Sequence, residues 1–162
     1  MAPPAPSLCL ALYEPDIAQN TGAMLRTCAC LGVRAAIIEP AGFPVSDRHF
    51  RRAGMDYLDH VEIDRHVSWR AFSQWRRDNQ RRLVLLTTHA QDTLWDFAFR
   101  EHDIIMVGRE SAGAPREVHD DADSRVRIAM RPQLRSLNVS VAAALALGEA
   151  MRQIGRAGGA TG

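Results

Sequence analysis

Residues 128–141 read IAMRPQLRSLNVSV and connect a predicted strand to a predicted helix. Ile128 and Met130 close the apolar strand, and Pro132 argues against a helix at this point because proline disfavours helical backbone in the residue before it and has no N–H for a helix interior. Helical spacing resumes at residue 142, so unpaired amides at the helix start could bind a carboxylate, a hydroxyl or an adenine edge. Connections of this kind need only about two to six residues. The segment is therefore interpreted as a ligand-binding loop, with a surface loop of no function as the alternative.

Short apolar runs recur upstream of this segment, and each is typical of a strand covered on both faces. The predicted strands are residues 8–13, 35–38, 61–63, 83–87, 103–107 and 126–128, and the predicted helices are 24–31, 46–53 and 69–75. This alternation predicts an α/β fold with a mostly parallel sheet and helices on both faces. The 162 residues fit a single domain, with flexible ends expected at 1–7 and 156–162.

The composition argues against several classes of protein. No apolar run is long enough to span a membrane and no charged-then-apolar leader is visible, so a cytoplasmic protein without a membrane partner is predicted. Cys9, Cys28 and Cys30 lie in apolar sequence and are interpreted as buried thiols in a reducing compartment. The six histidines show no H-x-x-x-H spacing, so no metal site is predicted.

All twenty basic residues are arginines, a pattern that fits a compositional bias of the source genome better than functional selection. Nine of them fall between Arg48 and Arg82, against five acidic residues, which makes that segment the best candidate for a basic face. Ser46 is a plausible N-cap, and Arg48, Arg51 and Arg52 then share one helix face. A solvated face is the commonest meaning of such a pattern.

Three predicted strand ends carry polar or glycine-rich sequence. They are residues 86–88, 108–115 and 128–138. Ligands bind beyond the carboxyl ends of parallel strands, so these loops are predicted to form the walls of one pocket. Gly108 and Gly113 would allow close backbone approach to a ligand, and Glu110 and Ser111 offer hydrogen-bonding groups. The G-x-x-x-x-G spacing lacks the following Lys-Ser or Lys-Thr of a phosphate loop, and G-x-G-x-x-G is absent.

The first predicted strand is followed by IAQNTG, residues 17–22, interpreted as a loop that puts Asn20 at the corner before the helix. Arg26 lies on the helix face away from the apolar Met24 and Cys28. On that face Arg26 cannot contribute to core packing, so its side chain is either solvated or functional.

Three ordered stretches resemble the motifs of the SPOUT superfamily of RNA methyltransferases. They are NTGAMLR (20–26), VGRESAGAP (107–115) and IAMRPQLRSLNVSV (128–141). Within that superfamily, LYEPDIAQNTG (12–22) and the compact length resemble the tRNA (cytidine/uridine-34) 2'-O-methyltransferases, and the similarity runs from residue 8 to about residue 154. Ala114 and Ala129 depart from the pattern, which usually has leucine and proline there.

The resemblance implies a deep C-terminal trefoil knot, an exception to the rule against threaded chains. It also implies S-adenosylmethionine as cofactor and a homodimer in which one subunit completes the other's active site. The implied cofactor residues are Leu86, Gly108, Ile128 and Ser136, with Met130, Leu137 and Asn138 completing the pocket.

The implied reaction is methylation of the wobble ribose, at cytidine or modified uridine 34, in tRNA and most specifically in tRNA(Leu) isoacceptors. Arg26 is placed at the reacting ribose, and Asn20 is expected to orient the substrate or the arginine. A guanidinium keeps its proton, so we interpret Arg26 as a clamp for a phosphate and for the developing alkoxide rather than as a base. Glu110 is either an alternative proton acceptor or a structural carboxylate.

Given this resemblance, the helix face formed by Arg48, Arg51 and Arg52 is predicted to contact the tRNA backbone. Two alternatives remain open at this point. One is a SPOUT enzyme that methylates another tRNA or rRNA ribose, and the other is an RNA-binding module that has lost its chemistry.

Overall fold

The computed structural model describes residues 8–134 and 137–157. Its strands are β1 (Cys9–Tyr13), β2 (Arg34–Ile38), β3 (Ile63–His66), β4 (Leu83–Leu86), β5 (Asp92–Thr93), β6 (Ile104–Val107) and β7 (Ser124–Arg127). Its helices are α1 (Ala18–Leu31), α2 (Asp47–Arg52), α3 (Trp69–Asp78), α4 (Arg116–Asp121) and α5 (Val139–Ala157), with 3₁₀ turns at Leu58–His60 and Leu94–Asp96. Flexible ends were predicted at residues 1–7 and 156–162; residues 1–7 and 158–162 lie outside the described residues, whereas residues 156 and 157 are the last two of α5.

The strands form one sheet in the order β3-β2-β1-β6-β4-β7-β5, and every pair of neighbours is parallel. The α/β class and the parallel sheet predicted from the sequence are therefore confirmed. Strand β7 lies between β4 and β5 although it follows both in the chain. This insertion places the residues after β7 beside the ends of β4 and β6.

Helices cover both faces of the sheet because alternate residues of each strand point to opposite sides. Along β1, Leu10 and Leu12 join a core cluster with α1 and α5, whereas Cys9 and Ala11 join a second cluster with α3 and α4. The side chains at the centre of the sheet are completely buried. Two helical layers thus hold the sheet rigid behind its carboxyl ends.

Several predicted boundaries were wrong, each for a physical reason. Helix α1 begins at Ala18 without a side-chain cap, so Asn20 lies in its first turn rather than in a loop before it. Strand β7 ends at Arg127, so Ile128 and Met130 belong to the following loop rather than to the strand. Residues 61–63 were predicted as a strand, but β3 covers Ile63–His66; it is an edge strand, where polar side chains are tolerated.

The short elements β5 and α4 were missed because β5 spans two residues and α4 carries a single apolar side chain, Val118, so neither shows a hydrophobic period. Helix α2 was predicted correctly, including its cap: Ser46 accepts a hydrogen bond from the His49 amide at 3.1 Å. The three cysteines were predicted to be buried, which holds for Cys9 and Cys28 but is wrong for Cys30, which is exposed on α1. Burial raises the pKa of both buried thiols to about 12.

A buried arginine fixes the strand that leads into the 128–138 segment. Arg76 of α3 is 6% exposed and pairs with Asp123 at 2.9 Å and with Asp121 at 3.3 Å. Asp123 also accepts the Leu83 amide at 2.7 Å. This network joins α3 and α4 to the starts of β4 and β7. It therefore fixes the relative positions of the two strands that lead into the predicted site loops at residues 86–88 and 128–138.

No helix among the described residues is long and apolar enough to cross a membrane. Within residues 8–134 and 137–157, no group of three or more histidine, cysteine, aspartate or glutamate side chains is arranged to hold a metal ion.

Candidate active site

A cavity of about 530 Å³ opens at the carboxyl ends of β4, β6 and β7. All three loops that were predicted to wall one pocket line it. Six of the seven predicted cofactor residues are in its wall: Leu86, Gly108, Ile128, Met130, Leu137 and Asn138. The seventh, Ser136, lies outside the described residues. The structure therefore brings these residues together, while their contacts with a cofactor stay a prediction.

The loop after β6 is a tight backbone turn that requires glycine at two positions. A Cβ at Gly108 would lie 2.5 Å from the Ala114 nitrogen, and Gly113 has a φ of +67°. The Gly113 amide donates to the Arg109 carbonyl at 2.8 Å and closes the turn. The close contact at Gly108 is thus with the loop's own backbone; Gly108 also lines the cavity, and its close approach to a ligand stays a prediction. Ala114, one of the departures from the motif, packs against the cluster under α3 and α4.

Asn20 and Asn138 join the first predicted motif to the third. The Asn138 side-chain amide donates to the Asn20 side-chain oxygen at 3.2 Å. The Asn138 oxygen accepts the Ser140 amide at 2.9 Å and also the Ser140 hydroxyl, so it caps the first turn of α5. Both asparagines line the cavity, and the start of α1 is therefore tied to its rim.

Arg26 lies outside the cavity, although it was predicted together with Asn20 as part of the catalytic machinery. Its side chain is exposed on α1, as predicted, and it is absent from the cavity wall. The guanidinium carbon stands 5.7 Å from the centre of the Tyr57 ring. Within one chain, the structure brings Asn20 to the cavity but leaves Arg26 on a neighbouring surface.

Glu110 forms a reciprocal pair with Asp16, a residue that the sequence did not single out. The Asp16 amide donates to Glu110 Oε2 at 3.2 Å, and the Glu110 amide donates to Asp16 Oδ1 at 3.1 Å. The Ser111 hydroxyl donates to the other Asp16 oxygen. The partners are 94 positions apart in the chain, so no local pattern could have revealed the pair. It fastens the loop before α1 to the loop after β6.

The two carboxyl groups hold their protons very differently. The hydrogen bond with the Glu110 side chain, assisted by Ser111, lowers the pKa of Asp16 to about 2. Burial, together with the hydrogen bond to Asp16, raises the pKa of Glu110. Of the two groups, Asp16 therefore ionises first as pH rises, and Glu110 ionises at higher pH. Glu110 must ionise before it can serve as the proton acceptor that was one of its two predicted roles.

The predicted basic face between Arg48 and Arg82 is not a single surface. Most of its arginines pair with carboxylates: Arg51 with Asp59, Arg65 with Glu39, Arg76 and Arg77 with Asp121, and Arg82 with Asp103. Charge counting along the sequence was misleading because those carboxylates come mostly from distant positions. Arg48 and Arg52 are exposed on α2 and form no ion pair with any described residue. The predicted tRNA contact is thereby reduced to these two, with Arg51 partly neutralised at 2.8 Å from Asp59.

Two histidines also line the cavity and were missed by the sequence analysis. His89 follows β4 and His119 lies on α4, with their ring centres 6.5 Å apart. Burial, then Arg125 and His89, lower the pKa of His119. Neither residue belongs to a sequence motif, and the fold alone brings them together.

The comparison with known families agrees with this geometry. The model of the SpoU rRNA Methylase family matches residues 7–148. The chain belongs to the SpoU methylase family. This confirms the family that the three motifs predicted.

Similar SpoU proteins include a tRNA (cytidine(34)-2'-O)-methyltransferase of Beijerinckia indica. It is 67% identical over 146 residues, which cover 90% of this chain and 91% of the relative. A solved structure concerned with 2-OH methylation of C/U34 on tRNA has a TM-score of 0.83 and 38% identity, covering 91% of this chain and 95% of that one. The SpoU methyltransferase AviRb of Streptomyces viridochromogenes, solved with AdoMet, has a TM-score of 0.83 and 25% identity, covering 93% of this chain and 61% of that one.

The carboxyl pair predicts a pH dependence of stability. Asp16, with its lowered pKa, stabilises the fold above its ordinary 3.8 and loses that contribution as pH falls toward 2. Glu110, with its raised pKa, stabilises fully below its ordinary 4.5 and loses that contribution as pH rises through its folded value. Of these two contributions, only that of Glu110 still changes above pH 4.5.

We expect Glu110→Gln, which keeps an uncharged group beside Asp16, to be less destabilised than the wild type as pH rises from 4.5. Thermal unfolding across this pH range measures the difference between the two proteins. The exposed Glu101→Gln serves as the control and should run parallel to the wild type. Parallel curves for Glu110→Gln as well would show that the pair shares no proton.

Proposed function

We propose that this chain is an S-adenosylmethionine-dependent tRNA 2'-O-methyltransferase that acts on the ribose of nucleotide 34, a cytidine or a modified uridine. The observation that carries the proposal is the convergence of all three motifs at one cavity, where Asn138 bonds to Asn20 at 3.2 Å. The name of the relative at 67% identity supports the choice of nucleotide. The family resemblance further implies tRNA(Leu) isoacceptors as substrates, and a tRNA-modifying enzyme would act in the cytoplasm.

The cavity fits the proposed cofactor. Its volume of about 530 Å³ suits a nucleoside-sized ligand. Leu86, Ile128 and Met130 offer apolar surface, and the backbone at Leu86, Gly108 and Ile128 can read an adenine and a ribose. Leu137 and Asn138 would complete the site, together with Ser136. S-adenosylmethionine, when bound, supplies a methyl group that an oxygen nucleophile can attack.

In the proposed mechanism, the protein contributes mainly position and charge. Placing a ribose hydroxyl in line with a methyl group can contribute about 7–11 kcal/mol in favourable cases. Asn20 at the cavity rim orients the sugar. Arg26 binds a phosphate of the substrate and stabilises the developing negative charge on the ribose oxygen, and it remains protonated while it does so. The proton that the ribose hydroxyl loses passes to an oxygen of that phosphate or, in the alternative, to ionised Glu110.

The position of Arg26 supports a homodimer. Arg26 is absent from the cavity of its own chain, whereas a second copy could present its Arg26 to that cavity. Large apolar side chains are exposed on and beside the adjoining helices α1 and α5: Ile17, Leu31, Leu137, Val141 and Leu145. A second copy of this chain would cover them, and each pocket would then be completed by its partner.

The proposal includes a deep trefoil knot. In the register of the sheet, Leu86 at the end of β4 and Asp92 at the start of β5 both pair with Val126 of β7. Residues 87–91 must therefore cross over β7 to reach β5. A chain that left β7 and passed beneath this crossing on its way to α5 would form the proposed knot.

The two alternatives remain distinguishable by simple experiments. Mapping 2'-O-methyl groups on RNA from cells with and without the protein separates position 34 of tRNA from another tRNA or rRNA ribose. A thermal shift with S-adenosylmethionine separates an enzyme from an inactive RNA-binding module.

We expect Arg26→Ala to abolish methylation of tRNA while leaving S-adenosylmethionine binding nearly unchanged, because Arg26 lies outside the cofactor cavity. Methyl incorporation into tRNA and calorimetry with the cofactor measure the two properties. Cys30→Ala, exposed on the same helix, is the control and should retain both. Equal loss of both properties in Arg26→Ala would refute the division of roles.

The double variant Arg48→Glu, Arg52→Glu should weaken tRNA binding and reduce its salt dependence, because two phosphate contacts are lost. The slope of log affinity against log salt should fall by about 1 per contact. Filter binding at several salt concentrations gives both values. Arg70→Glu, an exposed arginine on α3, is the control. An unchanged slope in the double variant would mean that these arginines are only solvated.

Val141→Glu should convert the proposed dimer to a monomer and abolish methylation, because it places a charge in the apolar face of α5. Light scattering after size exclusion gives the mass, and methyl incorporation gives the activity. Val67→Glu is the matched control, since Val67 is 78% exposed but lies in the β3–α3 connection. A monomeric wild type with full turnover would overturn the dimer.

A further inference from the structure

The Arg26 side chain forms no hydrogen bond or ion pair with residues 8–134 and 137–157, and it faces an aromatic ring. Its guanidinium carbon lies 5.7 Å from the centre of the Tyr57 ring, within the range of a cation–π interaction. No carboxylate of the described residues forms an ion pair with Arg26, in contrast to Arg51, Arg76 and Arg82. An exposed arginine without a carboxylate partner would otherwise sample many rotamers.

Tyr57 is itself held in place from two sides. Its hydroxyl donates to the Gly22 carbonyl of α1 at 2.6 Å, and its ring packs against the core cluster beneath α1 and α5. Gly22 lies four residues before Arg26, so helical geometry directs the Arg26 amide to the same carbonyl. Tyr57 therefore makes two contacts: its hydroxyl bonds to the turn of α1 that carries Arg26, and its ring faces the Arg26 side chain.

The segment that carries Tyr57 is anchored by buried apolar side chains. Phe50, Met55 and Leu58 are all buried in the cluster that includes α1. Burial also raises the pKa of Tyr57, so the hydroxyl remains a hydrogen-bond donor. The ring is thus a fixed surface against which a flexible side chain can be oriented.

An aromatic partner leaves the chemistry of Arg26 available in a way that a carboxylate would not. A carboxylate would neutralise the guanidinium and occupy two of its N–H donors. A ring face attracts the cation through its quadrupole and leaves the donors at the guanidinium edge free to bind a phosphate or an alkoxide. The guanidinium can therefore be oriented without losing its charge.

We propose that Tyr57 is the positioning residue for Arg26, its ring holding the guanidinium in the orientation in which the free N–H groups meet the substrate. This inference rests on the proposed function, because it takes Arg26 as the residue that acts on the substrate. Tyr57 lies outside the three sequence motifs, and it would join the residues that are proposed to take part in methyl transfer.

The contact is tested first in the unaltered protein. In a spectrum of protein labelled with ¹⁵N-arginine, the Arg26 side-chain N–H signal is assigned by its disappearance in Arg26→Lys. We expect this signal to be displaced by the Tyr57 ring current, and to stay displaced in Tyr57→Phe but not in Tyr57→Leu. An Arg26 signal at an undisplaced position in the wild type overturns the inference without any variant of Tyr57.

The functional consequence is tested by kinetics on the same proteins. We expect Tyr57→Leu to lower kcat for tRNA methylation by about tenfold, the size of a partly desolvated cation–π contact, with cofactor affinity retained. Tyr57→Phe, which keeps the ring, should rescue most of that loss. Equal losses in both variants, or full activity of Tyr57→Leu, overturn the positioning role.

Arg26→Ala separates this inference from the proposed function. If Arg26→Ala methylates tRNA at the wild-type rate, the proposed role of Arg26 fails. If Arg26→Ala is inactive while Tyr57→Leu is fully active, only the role of Tyr57 fails.

Discussion

The position of β7 between β4 and β5 is the constraint on which the rest of the site depends. Parallel pairing on both sides of β7 forces the chain that leaves it to emerge between the ends of its neighbours. The 128–138 segment therefore meets the loops after β4 and β6 at one cavity. A strand added at the edge of the sheet would have left that segment on an open surface, with fewer walls around a ligand.

Hydrogen bonds between side chains distant in sequence then fasten the loops to one another. Asp16 and Glu110 hold the approach to α1 against the loop after β6, and Asn138 holds the first turn of α1 against the start of α5. These contacts are polar because loops bury little apolar surface and need their amides satisfied. The result is a cavity whose walls come from separate parts of the chain but are joined around its rim.

The role of each arginine depends on its position in the fold and not on the number of arginines in the sequence. The buried Arg76 supports the fold through Asp121 and Asp123, and Arg51 is paired with Asp59. Arg48 and Arg52 remain exposed and available for an anionic partner. Arg26 differs from all of these because its guanidinium faces an aromatic ring. An arginine paired with a carboxylate therefore supports the fold, whereas an arginine with no carboxylate partner among the described residues keeps its charge available for recognition.

The sequence by itself determined the α/β class, most of the central strands, the capped helix α2 and the family, because buried strands and ordered motifs are local signals. It also identified the three loops that meet at the cavity. Only the tertiary structure decided that Asp16 pairs with Glu110, that His89 faces His119, that Tyr57 lies under Arg26, and that most arginines between Arg48 and Arg82 are neutralised. The physical reason is that these contacts join residues brought together by the order of the strands, and strand order leaves no periodic signal along the chain.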